Sequence, residues 1–375
     1  MKYYIIAGEA SGDLHGANLM KALKEEDNQS EFRFWGGDLM AANGGELIKH
    51  YRDLAFMGFA EVLMNIRTIL GNISFCKKDI LEYKPDAIIL IDYPGFNLRI
   101  AKFAKRNGIK VFYYISPQIW AWKEARITEI KNNVDKMFVI LPFEKDFYKK
   151  HDYEVDFVGH PLIDAIDSRK AIEDRKFKEE YNIDNRPVIA ILPGSRKQEI
   201  TKSLPIMLSV KDNFKDYQFV IAGAPSQEYS FYEKFIKDDQ VKFISNRTYD
   251  LLQVSEAALV TSGTATLEAA LFKVPEIVCY KANFISYHIG KKLVKIDYIS
   301  LVNLIMGSEV VTELIQEDFN SNRLSLELKN ILEGEGRKKM LDNFDKLISI
   351  LGGAGASKNT ARLMYKYLHE IPKRN

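Results

Sequence analysis

The sequence predicts an α/β protein of two doubly wound halves facing a central cleft, with a helical C-terminal segment. Three observations carry that prediction. Short β-rich runs alternate with helical patterns over most of the chain. The runs are near-continuously apolar, which suits a parallel sheet covered on both faces. The alternation breaks once, at the charged stretch DSRKAIEDRKFKEEYNIDNR over 167–186, and resumes at VIAIL. A chain of 375 residues also exceeds the usual size of one hydrophobic core. The expected domains are therefore 1–165 and 185–350, and the last helix, about 355–375, can pack on the first of them.

In the first half the strand patterns are Tyr3 to Ile6, 86–91 (DAIILI), 110–115 (KVFYYI), 136–140 (KMFVI) and 155–158 (VDFV), with helical patterns such as 98–107 and 143–150 between them. In the second they are 188–192, 217–222, 241–244, 257–261 and 276–280; beyond 285 the pattern is mainly helical. Two doubly wound halves set a ligand cleft between the carboxyl edges of their sheets.

Composition excludes several classes. With 46% hydrophobic and 28% charged residues and no low-complexity run, the chain can be globular throughout. A formal net charge of +2 argues against a dedicated nucleic-acid surface. Cys76 and Cys279 lie far apart without metal or CxxC spacing, so they are expected to be buried apolar fillers in a reducing compartment. No leader-like apolar core and no run of membrane-spanning length is present, so a cytoplasmic protein is expected.

In a doubly wound sheet the loops leaving the strands meet the ligand. After the first strand comes Gly8-Glu9-Ala10-Ser11-Gly12-Asp13, after 86–91 comes Asp92, after 188–192 comes Pro193-Gly194-Ser195-Arg196, and after 257–261 comes Ser262-Gly263-Thr264. The last two are small-residue turns opening helices, where free backbone N–H groups and the helix dipole favour a phosphate; Arg196 adds a fixed positive fork. Glu268, one turn beyond Thr264 on the same helix face, is either a hydrogen-bond acceptor for a ribose diol or a solvated helix residue. The first loop has glycines four apart and two carboxylates, which fits neither the dinucleotide fingerprint nor a pyrophosphate. No HExxH, paired-histidine or Asp-x-Asp pattern suggests a metal. Asp92, directly after a buried strand, is either a turn cap or a general base. His15 is either catalytic or, as is commoner for a lone histidine at a helix start, a dipole or surface residue, and His160 is expected to cap a turn near the hinge. Over 56–75, Phe59, Val62, Leu63, Ile66, Ile69, Leu70 and Ile73 recur at helical spacing, opposite Asn65, Arg67, Thr68 and Asn72. That face either packs on the sheet or receives acyl chains at a membrane interface.

The stretches AGEASGD, MGFAEVL, IDYPGFN, YYISPQIWAWKEARI, LPFEKDFY, VGHPLIDA, LPGSRKQEI, SGTATLE and KIDYISLVNLIMGSEVVTELIQ, in this order over most of the chain, together resemble the lipid A disaccharide synthases. The resemblance implies a GT-B glycosyltransferase of two Rossmann-like domains that inverts the anomeric carbon, with no metal and no cofactor. The implied substrates are UDP-2,3-diacylglucosamine and 2,3-diacylglucosamine 1-phosphate (lipid X), and the products are UDP and a β-1,6-linked disaccharide. It further implies peripheral attachment to the cytoplasmic face of the inner membrane and leaves room for a homodimer. Residue by residue, Asp92 falls on the family's base, Arg196 on its essential arginine, Glu268 on the ribose-binding carboxylate, and Asn303 and Gln316 on polar positions near the nucleotide. Gly95 stands where many members have a second Asp, and His15 where they have a hydrophobic residue. In the opening loop, Glu9, Ser11, Gly12 and Asp13 are expected to grip sugar hydroxyls, with the Ser11 and Gly12 amides near the β-phosphate. A non-hydrolysing UDP-N-acetylglucosamine epimerase of the same fold is the rival enzyme, and a non-catalytic binding protein the rival class.

Overall fold

A computed structural model describes residues 1–54, 66–282 and 296–370. Its strands are all paired in parallel and fall in two sheets. The first sheet comprises β1 (Lys2–Ala7), β2 (Glu31–Gly36), β3 (Glu46–His50), β4 (Ala87–Ile91), β5 (Lys110–Tyr114), β6 (Lys136–Val139) and β7 (Asp156–Phe157), in the order β3-β2-β1-β4-β5-β6-β7. The second comprises β8 (Val188–Leu192), β9 (Gln218–Gly223), β10 (Val241–Ser245), β11 (Ser255–Val260), β12 (Glu276–Tyr280) and β13 (Thr312–Ile315), in the order β10-β9-β8-β11-β12-β13. Each chain run grows its sheet one way for three strands and then crosses back to grow it the other way. The topological switch points therefore lie between β1 and β4 and between β8 and β11, where ligands bind in such sheets.

The strand sequences explain their depth. In β1, Tyr3, Tyr4, Ile5 and Ile6 are all fully buried. Tyr3, Ile5 and Ala7 join a core with Leu19, Met20 and Leu23 of helix Ala10–Glu26 and with Ala361 and Met364 of helix Ala356–Glu370. Tyr4 and Ile6 join the opposite core, with Ile73, Cys76 and Ile80 of helix Ile66–Tyr83 and with Phe96 and Ile100 of helix Pro94–Arg106. A strand covered on both faces cannot alternate, so it appears as one apolar run. The strands β2, β3 and β13 were not anticipated. β3 and β13 lie at sheet edges and half-exposed, and β2 carries Glu31 and Arg33 among its aromatics, so their patterns are broken by polar residues.

The chain divides into two compact units, Met1–Asp164 with Leu351–Asn375, and Ala165–Ile350. Asp164 fastens the returning end of the first unit. Its carboxylate accepts the N–H groups of Gly355 (2.5 Å), Ala356 (3.2 Å) and Ser357 (2.8 Å), the free donors at the start of helix Ala356–Glu370. Near the other end of that helix, the Tyr367 hydroxyl donates to Asp156 at 3.1 Å.

Candidate active site

At the first switch point Ala7 is in register with Ile91, so Gly8-Glu9 and Asp92-Tyr93 leave the sheet side by side. Gly8 is required there, because a β-carbon on it would fall inside the Tyr93 ring. Asp92 (φ 43°) and Tyr93 (φ 49°) are both left-handed, a conformation costing a non-glycine residue about 1–3 kcal/mol. Two donors meet on the Asp92 carbonyl: Asn97 Nδ2 at 2.7 Å and the Tyr113 hydroxyl at 2.5 Å. The Asp92 N–H in turn donates to the Tyr114 carbonyl at 3.2 Å. Burial, and then the charge of Glu9, push the Asp92 carboxyl up to about 6, against a hydrogen bond from the Tyr93 N–H. Such a group is mostly ionised at neutral pH yet more basic than an ordinary carboxylate, which suits proton abstraction.

The opening loop divides. Glu9 and Ser11 are exposed at the sheet edge. Asp13, expected to face a sugar, instead turns inward: it is buried, and its oxygens accept the N–H groups of Gly37 (2.7 Å), Leu39 (3.1 Å) and Met40 (3.1 Å). It closes the turn after β2 and the start of helix Asp38–Ala42, with little acceptor capacity left for a ligand. Gly12 is buried too, and a β-carbon there would lie 3.2 Å from that of Ala7, so this glycine serves close packing of helix on strand. His15 is buried rather than at the surface, and burial lowers its pKa to about 4. His160 is lowered to about 3 by burial and by His15, and its Nδ1 accepts the Leu162 N–H at 3.3 Å.

At the second switch point Leu192 is in register with Val260, which brings loops 193–196 and 261–264 together. Gly194 is left-handed (φ 97°), and Ser195 and Arg196 are exposed. Glu199, unmarked in the sequence reading, sits at the third position of helix Lys197–Leu208 and folds back over Gly194, taking hydrogen bonds from the Ser195 and Arg196 N–H groups. A glutamate at this helical position returning to the N-terminal amides is one half of a capping box. Its signal was legible as Glu199 three residues after Arg196. In the neighbouring loop Gly263 (φ 139°) and Thr264 are exposed at the start of helix Thr264–Leu271, and the Ser262 hydroxyl donates to the Ile299 carbonyl at 3.1 Å. Glu268 is half-buried on that helix and accepts the Tyr249 hydroxyl at 2.9 Å; burial raises its pKa and this hydrogen bond opposes the rise.

Two further expectations separate here. Asn303 is fully buried and spent on its own chain: Oδ1 accepts Val310 (2.7 Å) and Val311 (3.0 Å) N–H groups, and Nδ2 donates to the Val311 carbonyl (2.8 Å) and to Glu313 (2.9 Å). It shapes the turn before β13, and these bonds occupy both ends of its amide. Gln316 is half-buried and left-handed (φ 55°), and its side-chain oxygen accepts the Ala282 N–H at 2.7 Å, joining the loops after β12 and β13.

Of the apolar stripe, Phe59, Val62, Leu63 and the side chain of Ile66 lie outside the described residues. Ile73 is corrected to core, where it packs with Cys76 and Ile80, and Ile69 packs half-buried against the same cluster. Leu70 is 55% exposed, and Phe75 (49%) and Leu81 (47%) elsewhere on the same helix are exposed as well. A groove of about 490 Å³ lined by Leu47, Ile48, Lys49, His50, Asp53, Asn72 and Phe75 runs beside this helix. Among the described residues no helix is long and apolar enough to cross a membrane.

The fold has solved relatives. The UDP-GlcNAc 2-epimerase from Neisseria meningitidis, a complex with UDP-GlcNAc, matches with a TM-score of 0.69 over 98% of this chain and 100% of that one, at 15% identity. The glycotransferase of kitacinnamycin matches with a TM-score of 0.66 over 98% and 99%, at 13% identity. Likeness at such identities defines a class, the GT-B fold that glycosyltransferases share with these epimerases. Sequence narrows the class: the family profile described as lipid-A-disaccharide synthetase matches residues 3–364. The lipid-A-disaccharide synthase of Syntrophus aciditrophicus is 41% identical over 367 residues, 95% of each chain, and that of Geobacter sulfurreducens 36% identical over 372 residues, 97% of this chain and 96% of the other. The chain belongs to the lipid-A-disaccharide synthase family and is a glycosyltransferase.

Proposed function

We propose that the chain condenses UDP-2,3-diacylglucosamine with 2,3-diacylglucosamine 1-phosphate, releasing UDP and forming the β-1,6-linked disaccharide 1-phosphate of lipid A biosynthesis. The observation that carries this reading is likeness to lipid-A-disaccharide synthase along 95% of both chains. The acceptor hydroxyl attacks the donor's anomeric carbon from the face opposite UDP, forming the new C–O bond as the bond to the β-phosphate oxygen breaks. Asp92 takes the hydroxyl proton; its raised pKa and held backbone support that role. Negative charge grows on the departing UDP. Arg196 and the dipoles of the helices beginning at Lys197 and Thr264 meet that charge, with Gly194, Ser195, Ser262, Gly263 and Thr264 lining the approach. Glu268 accepts from the ribose diol, and Gln316 borders the base or ribose. Glu9 and Ser11, exposed at the first switch point, contact the sugar hydroxyls.

The acylated substrates are held at a membrane surface, and the protein binds the cytoplasmic face of the inner membrane through helix Ile66–Tyr83. The exposed Leu70, Phe75 and Leu81 support this attachment. The decisive experiment is UDP release from acylated donor with and without lipid X. Release that depends on lipid X is expected. Interconversion of unacylated UDP-GlcNAc in place of it would overturn the reading in favour of an epimerase.

A further inference from the structure

We propose that Asn97 and Tyr113 are positioning residues that clamp the Asp92 carbonyl and so hold the Asp92 side chain in its working direction, an inference that rests on Asp92 being the base. Asp92 and Tyr93 occupy consecutive left-handed conformations, which neither side chain favours by itself. Something must hold them. A carbonyl oxygen has two lone pairs, and here both have donors, Asn97 Nδ2 at 2.7 Å and the Tyr113 hydroxyl at 2.5 Å. The Asp92 N–H is fixed to the Tyr114 carbonyl. Both peptide planes flanking the Asp92 α-carbon are thereby oriented, and with them the bond to its carboxylate. The Tyr93 ring fills the space that Gly8 leaves open, which closes the turn from the other side.

Asn97 is a poor choice for stability alone. It is fully buried, and its Oδ1 has no hydrogen-bond partner among the described residues. A buried acceptor left unpaired is costly, whereas an apolar side chain of similar size would pack there without that cost. What the amide supplies is its Nδ2, which reaches the Ile91 carbonyl (3.2 Å) and the Asp92 carbonyl together. The clamp thus spans the last strand residue and the first residue of the turn.

The test uses Tyr113→Phe, Asn97→Ala and Asp92→Asn in the full chain, with kcat, KM and the pH dependence of kcat measured for each and folding checked by thermal melts. Tyr113→Phe removes one oxygen and is the variant least prone to misfold. Both clamp variants are expected to lower kcat by about 10- to 100-fold while KM for either substrate stays within about twofold. The acid limb of kcat should slide from near 6 toward an ordinary carboxylate value as Asp92 turns out of its buried setting and away from Glu9, the two causes that raise its pKa. An inactive Asp92→Asn beside clamp variants with unchanged kcat and acid limb overturns the clamp alone. An Asp92→Asn of wild-type kcat overturns the base and the clamp with it.

Discussion

The Glu199 carboxylate lies against Gly194, in the space where any other residue would carry its β-carbon. Gly194 is also left-handed, so Gly194→Ala combines an unfavourable φ with displacement of the carboxylate that caps the loop. The expected result is a loss of about 1–3 kcal/mol of stability and a raised donor KM. Thermal melts and donor titration check it; an alanine variant as stable and as tight as wild type would show that the loop does not need this conformation.

Arg196 and Glu268 should separate kinetically. Arg196→Ala removes a charge-assisted contact to the diphosphate and should cost about 1.5–3 kcal/mol in kcat/KM. Glu268→Ala should act mainly on donor KM. Steady-state kinetics with varied donor distinguish the two, and wild-type constants for both would move the UDP site elsewhere.

For Asp92 the carboxylate must be ionised to accept a proton, so kcat should rise with pH through about 6 and level off above it. Asp92→Asn should lose about 10²- to 10⁴-fold in kcat and leave UDP affinity unaltered. A profile flat from pH 5 to pH 8 with full activity in the asparagine variant contradicts this.

Helix Ile66–Tyr83 offers a contrast within one element. Replacing the exposed Leu70, Phe75 and Leu81 by serine should reduce co-sedimentation with anionic vesicles while lowering the melting temperature only a little, because all three side chains are about half in solvent and Phe75 gives up its contact with the Trp35 ring. Ile73→Ser should instead cost about 3 kcal/mol or more, as a buried isoleucine does when truncated. Vesicle binding unaffected by the triple change would place the membrane contact on another surface.

Glu276, fully buried at the start of β12, has no hydrogen-bond partner on either carboxylate oxygen among the described residues, and burial raises its pKa well above the ordinary value of 4.5. Below 4.5 both folded and unfolded states hold the proton, and stability is unaffected. Above 4.5 the unfolded chain ionises while the folded one does not, so stability falls by up to about 1.4 kcal/mol per pH unit until the folded group itself titrates. Glu276→Gln should therefore melt progressively higher than wild type between pH 5 and pH 8. Parallel melting curves across that range would show that the carboxylate has found a partner.

Legibility in the sequence followed burial. The central strands β1, β4, β8 and β11 are buried on both faces, so their apolar runs stood out, and the loops after them gave Asp92, Arg196 and Thr264. The edge strands β3 and β13 share their pattern with polar loops and were missed, whereas the edge strands β7 and β10 kept enough apolar character to be found. At Asp13 and Asn303 a different limit applied. A polar residue beside a strand end looks the same in sequence whether it faces a ligand or satisfies buried amides, and only the partners Gly37, Met40 and Val311 tell the two apart. The orientation of the Asp92 carbonyl had no sequence signature either, since it depends on Tyr113, which is 21 residues away.

Fastening Ala356–Glu370 to Asp164 has a consequence for how the protein is made. Between Asp164 and Leu351 the chain builds an entire second unit. The core that holds Ala17, Met20 and Tyr114 has to wait on the ribosome for Ala361 and Met364, and for Tyr367 and Leu368 beyond them, to cover it. Until then an incomplete first domain presents apolar surface to the cell, and closure joins residues 191 apart in the chain. Nascent chains stalled before Ala356 should therefore recruit chaperones or aggregate, although every strand of both sheets has already been synthesised.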